Sequence, residues 1–263
     1  MCCVTIDVES DWGGRASPTD SGVAGCRYSI PRILDLFDRV GARSTFFVSG
    51  EVARAISSEL RDIASRGHEI ASHGRRHVRY DRLSISDLEE ELQSSKDTLE
   101  DLTGRPVVGF RSPYFAPHSN LFPALARAGY EYDSSLVAGR LPGRYHNKIS
   151  DGPFWKDSIL EIPIGRLPFT PLPSGLLWLN LLRAAVPLRW LPRPSKQLGV
   201  FYLHPFDLYP AKYTPLFDWK VNLWYLFGQK HACATLKAYL QRVGKRSQFV
   251  KMQDLFMQHR TRR

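Results

Sequence analysis

Apolar and polar positions alternate along this chain with two periods, and the two periods take turns. "CCVTIDV", residues 2–8, is a β-branched apolar run of strand length. "IPRILDLFDRVG" then places Ile33, Leu34, Phe37 and Val40 at helical spacing, with Pro31 suited to a first turn and Gly41 to a C-cap. "STFFVSG" predicts a second buried strand, and "EVARAISSELRDIASRG" a second amphipathic helix closed by Gly67. "HEIASHG" predicts a third strand. "SISDLEEELQSSKDTLEDLTG" predicts a helix opened by a Ser86/Glu89 capping box and ended by Gly104. "VVGFRSPYF" reads as a fourth strand, and "NLFPALARAGYEYDSSL" as a helix followed by a short strand. "ILEIPIG", "LGVFYLHPF" and "QFVKMQDL" read as later strand or strand–loop units.

Strand and helix in alternation, with short loops, imply a parallel sheet with helices packed around it. Repeated this often, the pattern predicts an α/β fold of the (β/α) barrel type, with 1–263 as one domain. One segment breaks the rhythm. An apolar, Trp- and Pro-rich stretch at about 166–196 carries Arg183, Arg189 and Arg193 and reads as an insertion. It either covers the barrel or lies as an interfacial helix against a membrane or a lipid-linked substrate.

Composition changes this picture little. With 43% hydrophobic and 24% charged residues, the chain is that of a folded globular protein rather than a disordered one. The net charge of +10 admits nucleic acid, an anionic surface or an acidic substrate. The basic residues are dispersed, however, apart from a tail at about 258–263, and no nucleic-acid-binding module is legible, so no nucleic-acid partner is expected. Cys2, Cys3, Cys26 and Cys233 form no Cys-x-x-Cys pair, which argues against a disulfide framework or a cysteine zinc site. The first residues carry neither a positive n-region nor an apolar h-region, and no long apolar run follows. A cytoplasmic setting, with peripheral contact at the inner face of a membrane, is the expectation.

In a (β/α) barrel, functional residues gather at the C-terminal ends of the strands. That is where this chain puts its chemistry. Asp7 and Glu9 end the first strand, His73 and His77 follow the third, and Arg111 follows the fourth. Asp133 and His204 end later strands. Two histidines and one carboxylate make a His₂–carboxylate site for a divalent metal, which lowers the pKa of bound water and polarises a carbonyl. Glu9 is the candidate acidic ligand, with Asp11 as the alternative. Asp7, two residues before Glu9, faces the same side by the strand period and is the candidate general base. Arg111 would hold Asp7 through a charge-assisted hydrogen bond. His204 would protonate a leaving amine, with Asp133 to orient and charge it. His68, His118, His146, His231 and His259 have no supporting neighbours in the sequence and read as structural or surface residues.

These motifs, in this order, resemble the NodB-type polysaccharide deacetylases, metal-dependent carbohydrate esterases. "TIDVES" is similar to the family's first motif, "SHGRRH" to the second, "FRSPYF" to the third, "YDSSL" to the fourth and "YLHPFDL" to the fifth; "TFFVSGEVA" and "GHEIASHG" are also characteristic. The resemblance implies a distorted (β/α) barrel of about seven strands, a divalent metal and hydrolysis of an N-acetyl group. The metal it implies is zinc, with cobalt, nickel or manganese as alternatives. It implies Asp7 as base, Glu9, His73 and His77 as ligands, Arg111 orienting Asp7, and His204 as acid. The third motif, at Arg111, Pro113 and Tyr114, would add the Tyr114 backbone N–H as an oxyanion donor. The substrate implied is a glycan or a lipid-linked sugar. The first motif is Asp-Val-Glu rather than adjacent aspartates, as in a subgroup tied to exopolysaccharide systems and lipid-linked aminosugar deformylases. Arg75 and Arg76 in the second motif would suit a phosphate or an acidic sugar. Two other readings use the same residues: a non-sugar amidohydrolase acting on a cyclic amide or ureide, and a non-catalytic glycan-binding protein.

Overall fold

The computed structural model describes residues 1–9, 20–139, 149, 151–185, 199–209 and 231–263. Its centre is one curled sheet of eight strands in the order β6-β7-β5-β4-β3-β2-β1-β8. The strands are β1 (Cys2–Val8), β2 (Thr45–Val48), β3 (Glu69–Ser72), β4 (Gly109–Phe110), β5 (Tyr132–Asp133), β6 (Phe154–Lys156), β7 (Ile159–Glu161) and β8 (Gly199–Leu203). Seven of them run parallel, and β6 turns back antiparallel on β7 as an edge hairpin. Among the described residues β6 and β8 do not pair, so the sheet is an incomplete barrel. The expected α/β architecture of about seven strands is the one observed.

β1 is buried along its whole length, between β2 and β8. That is why it reads as a continuous apolar run rather than an alternating one. Ile6, Val8, Phe46, Phe47, Val48, Phe201 and Leu203 are fully buried along these three strands. Each such side chain is worth about 1.5–3 kcal/mol over an exposed one. Helices wrap the sheet: α1 (Asp20–Val40), α2 (Gly50–Ala53), α3 (Ser57–Ser65), α4 (Ile85–Thr103), α5 (Leu121–Arg127), α6 (Leu176–Ala185), α7 (Ala232–Gly244) and α8 (Met252–Arg260). α4 ends as expected, with Gly104 at φ 63° in the left-handed conformation that favours glycine.

Several boundaries differ from the sequence reading. α1 begins a full three turns before Pro31, because Val23, Cys26 and Ile30 continue the apolar stripe that packs on the core. The helix predicted over 51–67 is two, α2 and α3, broken at 54–56. α4 is capped by Ser84, whose Oγ accepts from the Asp87 N–H at 3.1 Å, rather than by a Ser86/Glu89 box. "QFVKMQDL" is chiefly the start of α8: Phe249 makes one bridge to Cys2, and Met252, Leu255 and Phe256 then turn inward at helical spacing.

Within the described part of the insertion, α6 packs against the core, while Phe169 before it is exposed. Leu176, Trp178 and Leu179 are buried, and the Trp178 indole N–H donates to the Tyr202 hydroxyl at 3.1 Å. Arg183 reaches Thr235 on α7 at 2.6 Å. Arg189 and Arg193 lie outside the described residues. No helix among the described residues is long and apolar enough to cross a membrane. The four cysteines are free.

Candidate metal and hydrolytic site

The parallel sheet brings the strand ends together at one pole, and the strand period then selects which side chains enter the site. Thr5, Asp7 and Glu9 occupy alternate positions at the end of β1, so they share a face. His73 directly follows β3, and Arg111 directly follows β4.

Glu9, His73 and His77 form the cluster able to hold a metal ion among the described residues; their ligand atoms all lie within 4.8 Å of one another, and all three residues are buried. The two Nε2 atoms lie 3.3 Å (His73) and 2.6 Å (His77) from the same carboxylate oxygen, Glu9 Oε2. Burial alone would push the Glu9 carboxyl up, but the His77 and His73 imidazoles outweigh it and hold it well below the usual carboxylate range. His73 Nδ1 sits 2.8 Å from the Arg111 carbonyl. A carbonyl only accepts, so Nδ1 carries a proton, and Nε2 is the ring nitrogen that a metal would meet. This donor set, buried and pre-oriented, fits a divalent metal of the zinc type. Asp11, the alternative ligand, lies outside the described residues.

Arg111 is paired with Asp7. Its Nη1 donates to Asp7 Oδ1 at 2.6 Å and to Thr5 Oγ1 at 2.8 Å. Its other nitrogens reach the Ser134 carbonyl at 3.2 Å and the Ser134 hydroxyl at 2.9 Å. The guanidinium is completely buried over the Phe47 ring, 4.0 Å from its centroid. Pro113 opens a short 3₁₀ turn in which Tyr114 (φ 59°) and Phe115 (φ 52°) are both left-handed. Two consecutive non-glycine residues in that region cost about 1–3 kcal/mol each, a strain that surrounding structure must impose. The Tyr114 ring lies 4.3 Å from the His77 ring, and its hydroxyl donates to the His77 carbonyl at 3.4 Å.

Two expectations need correction. The carboxylate beside His204 is Asp207, not Asp133. Asp207 Oδ2 lies 3.5 Å from His204 Nδ1 and accepts from the His204 backbone N–H at 2.8 Å. Burial opposes charge on His204, but Asp207, Glu9 and Asp7 together outweigh it and raise its pKa to about 9. Asp133 instead accepts from Ser135 Oγ at 2.6 Å and faces Glu161, its register partner on β7. The second correction concerns Arg75 and Arg76. Arg75 is paired with Glu90 at 2.8 Å and Arg76 with Glu91 at 2.6 Å, so both charges are already met within the chain. Among the residues read as structural, His68 fits that role: it is buried against Phe37 and Phe46, and its Nδ1 accepts from the Ser44 N–H.

Asp207 and Glu161 were not anticipated. Asp207 had a signal, a carboxylate three residues after His204 in "HPFD"; Glu161 had a fainter one, an acid inside the apolar run "ILEIPI".

Comparison with known proteins agrees with the motifs. Residues 20–132 match the polysaccharide deacetylase family model. A peptidoglycan deacetylase of Helicobacter pylori is 30% identical over 140 residues, which is 51% of this chain and 48% of that protein. A peptidoglycan deacetylase-like protein of Gibberella zeae is 31% identical over 145 residues, 52% of this chain and 43% of that one. The chain thus aligns with somewhat less than half the length of these relatives. Among solved structures, a Mycobacterium smegmatis protein described as a polysaccharide deacetylase superposes with a TM-score of 0.70 at 23% identity, covering 99% of this chain and 91% of that one. That likeness is one of fold.

Proposed function

From a chain that resembles the polysaccharide deacetylases in sequence and in fold, we propose a metal-dependent hydrolase that removes an N-acyl group, acetyl first, from an amino sugar of a polysaccharide or lipid-linked glycan. The observation that carries this reading is the buried Arg111–Asp7 pair beside the Glu9–His73–His77 donor set. Glycan binding alone needs neither a buried carboxylate locked to an arginine nor a metal triad. A divalent metal held by Glu9, His73 and His77 would supply Lewis acidity, making water more acidic and the acyl carbonyl more electrophilic. Asp7, fixed by Arg111, takes the proton of the attacking water. The water oxygen bonds to the acyl carbon, and the Tyr114 backbone N–H donates to the developing oxyanion. The C–N bond then breaks as His204, steadied by Asp207, gives its proton to the nitrogen. Carboxylate and free amine are the products.

The relatives' names supply the substrate classes to try: peptidoglycan and, from a chitin deacetylase of a Pestalotiopsis species, chitin. In a membrane-associated, lipid-linked version, Leu176, Trp178 and Leu179 of the insertion are already spent on the core, whereas Phe169 is exposed. The test is acetate release by zinc-loaded protein from chitin oligomers and from peptidoglycan, beside the Asp7→Asn variant. Acetate should appear from at least one glycan and fall about 10²–10⁴-fold in the variant. Turnover of a cyclic ureide with no acetate from any glycan would move the chain to the amidohydrolase reading, while glycan retention without turnover would make it a binding protein.

A further inference from the structure

His73 and His77 can meet one ion only if the loop between them holds its shape, and that loop is Gly74, Arg75 and Arg76. It is pinned from two sides. From α2, Gly50 N–H donates to the Gly74 carbonyl and Glu51 N–H to the Arg75 carbonyl, both at 2.9 Å. The Glu51 carboxylate accepts from the His77 N–H at 3.3 Å. From α4, Ser95 Oγ meets Ser72 Oγ at 2.8 Å, and Ser72 Oγ in turn accepts from the Gly74 N–H. Gly74 sits at φ 80°, and a Cβ there would run into the Tyr80 hydroxyl, so the turn is closed against that ring as well.

One group stands at the centre of these contacts. Glu91, one turn before Ser95 on the same face of α4, is 1% exposed. It accepts from the Arg76 backbone N–H at 2.9 Å, from Arg76 Nε at 2.6 Å and from the Tyr80 hydroxyl at 3.3 Å. Arg75 Nε lies 3.4 Å away. A carboxylate buried merely to neutralise an arginine would need only the side-chain contact. This one is bonded to the main chain of the residue immediately before His77. We propose that Glu91 is a positioning residue for the metal site: by holding the Arg76 backbone it fixes the His73–His77 spacing, and so sets how tightly the site binds a metal ion.

The inference rests on the metal reading given above, and the experiment separates the two. Zinc affinity is measured by chelator competition, and coordination by the visible spectrum of the cobalt(II)-substituted protein. The proteins compared are wild type, Glu91→Ala, Glu91→Gln and Leu99→Ala. Leu99 is a buried residue of the same helix, two turns beyond Glu91. Glu91→Ala should weaken zinc binding about 10- to 100-fold and alter the cobalt spectrum, as loss of an outer support does. Glu91→Gln keeps an oxygen for the Arg76 N–H and should recover part of the affinity; it also serves if the alanine variant does not fold. Leu99→Ala should lose stability but keep wild-type affinity and spectrum. If the Glu91 variants bind zinc as wild type does, with an unchanged spectrum and only reduced stability, Glu91 is a structural acid and the proposal is wrong. A wild-type protein that takes up no zinc or cobalt overturns the metal reading itself.

Discussion

Asp7 and Glu9 at the end of β1, and Asp133 and Glu161 at the ends of β5 and β7, are equally buried, but their partners differ in kind. Asp7 faces the Arg111 guanidinium and Glu9 faces two imidazoles. Asp133 and Glu161 face each other, with serine and backbone donors around them. Burial pushes Glu161 well above the usual carboxylate range and Asp133 up as well, with the Asp133 charge adding to the effect on Glu161. Two carboxyl groups so placed share a proton. The first pair presents its negative charge to a guanidinium and two imidazoles, as the proposed hydrolytic site requires. The second supports that arrangement from behind: Ser135, held by Asp133, accepts from the Ser112 N–H, and the neighbouring Ser134 holds Arg111. Burial alone therefore does not mark a functional acid; what the acid faces does.

The contrast can be broken at Arg111 first. Arg111→Ala strands the Asp7 carboxylate in the interior and should cost about 3–5 kcal/mol in urea unfolding. A loss below 1 kcal/mol would show that Asp7 does not depend on it. The acid pair is tested by pH. A carboxyl whose folded pKa is raised contributes stability that is full below the ordinary carboxylate pKa of about 4 and is lost as pH rises through the folded value. The wild-type melting temperature should therefore decline toward alkaline pH more steeply than that of Glu161→Gln, which has one titrating acid fewer. Parallel curves would remove the shared proton. His204 has the opposite charge type but the same sign. With its pKa at about 9, it is protonated below that pH, and kcat/KM should fall as pH rises through it. Of the groups that raise it, Asp207 acts most strongly, so Asp207→Asn should move the alkaline limb to lower pH. An unmoved limb would dismiss Asp207. The smallest effect is expected from Thr5→Val, which removes one acceptor of Arg111 Nη1 and leaves the other, for about 1 kcal/mol. A loss as large as that of Arg111→Ala would mean Thr5, not Asp7, is the principal anchor.

Legibility followed the range of the interaction. β1, β2 and β3 were readable because each is an unbroken buried run, and His73, Arg111 and His204 because each directly follows a strand end. β4 and β5 are only two residues long, and no local pattern announces where such a short pairing stops. Pro31 was misplaced because the preceding turn of α1, with Gly22 and Gly25, is helical by packing rather than by propensity. The Asp133 role failed for a different reason. Its position after a strand says which pole it occupies, but its neighbours are set by sheet order, and β5 lies beside β7 and β4, far from β8. Asp207 needed no such knowledge, being local to His204. Glu91 was the hardest: it looks like one more acid on a charged helix until the loop it holds is in view.

The measurement that bears most directly on the account is metal content. Purified protein, reconstituted with zinc and dialysed, would be analysed for bound metal beside the His73→Ala/His77→Ala double variant. The account predicts about one zinc per wild-type chain, from the one three-ligand cluster among the described residues, and essentially none in the double variant. Zinc absent from both, or equal in both, would contradict it.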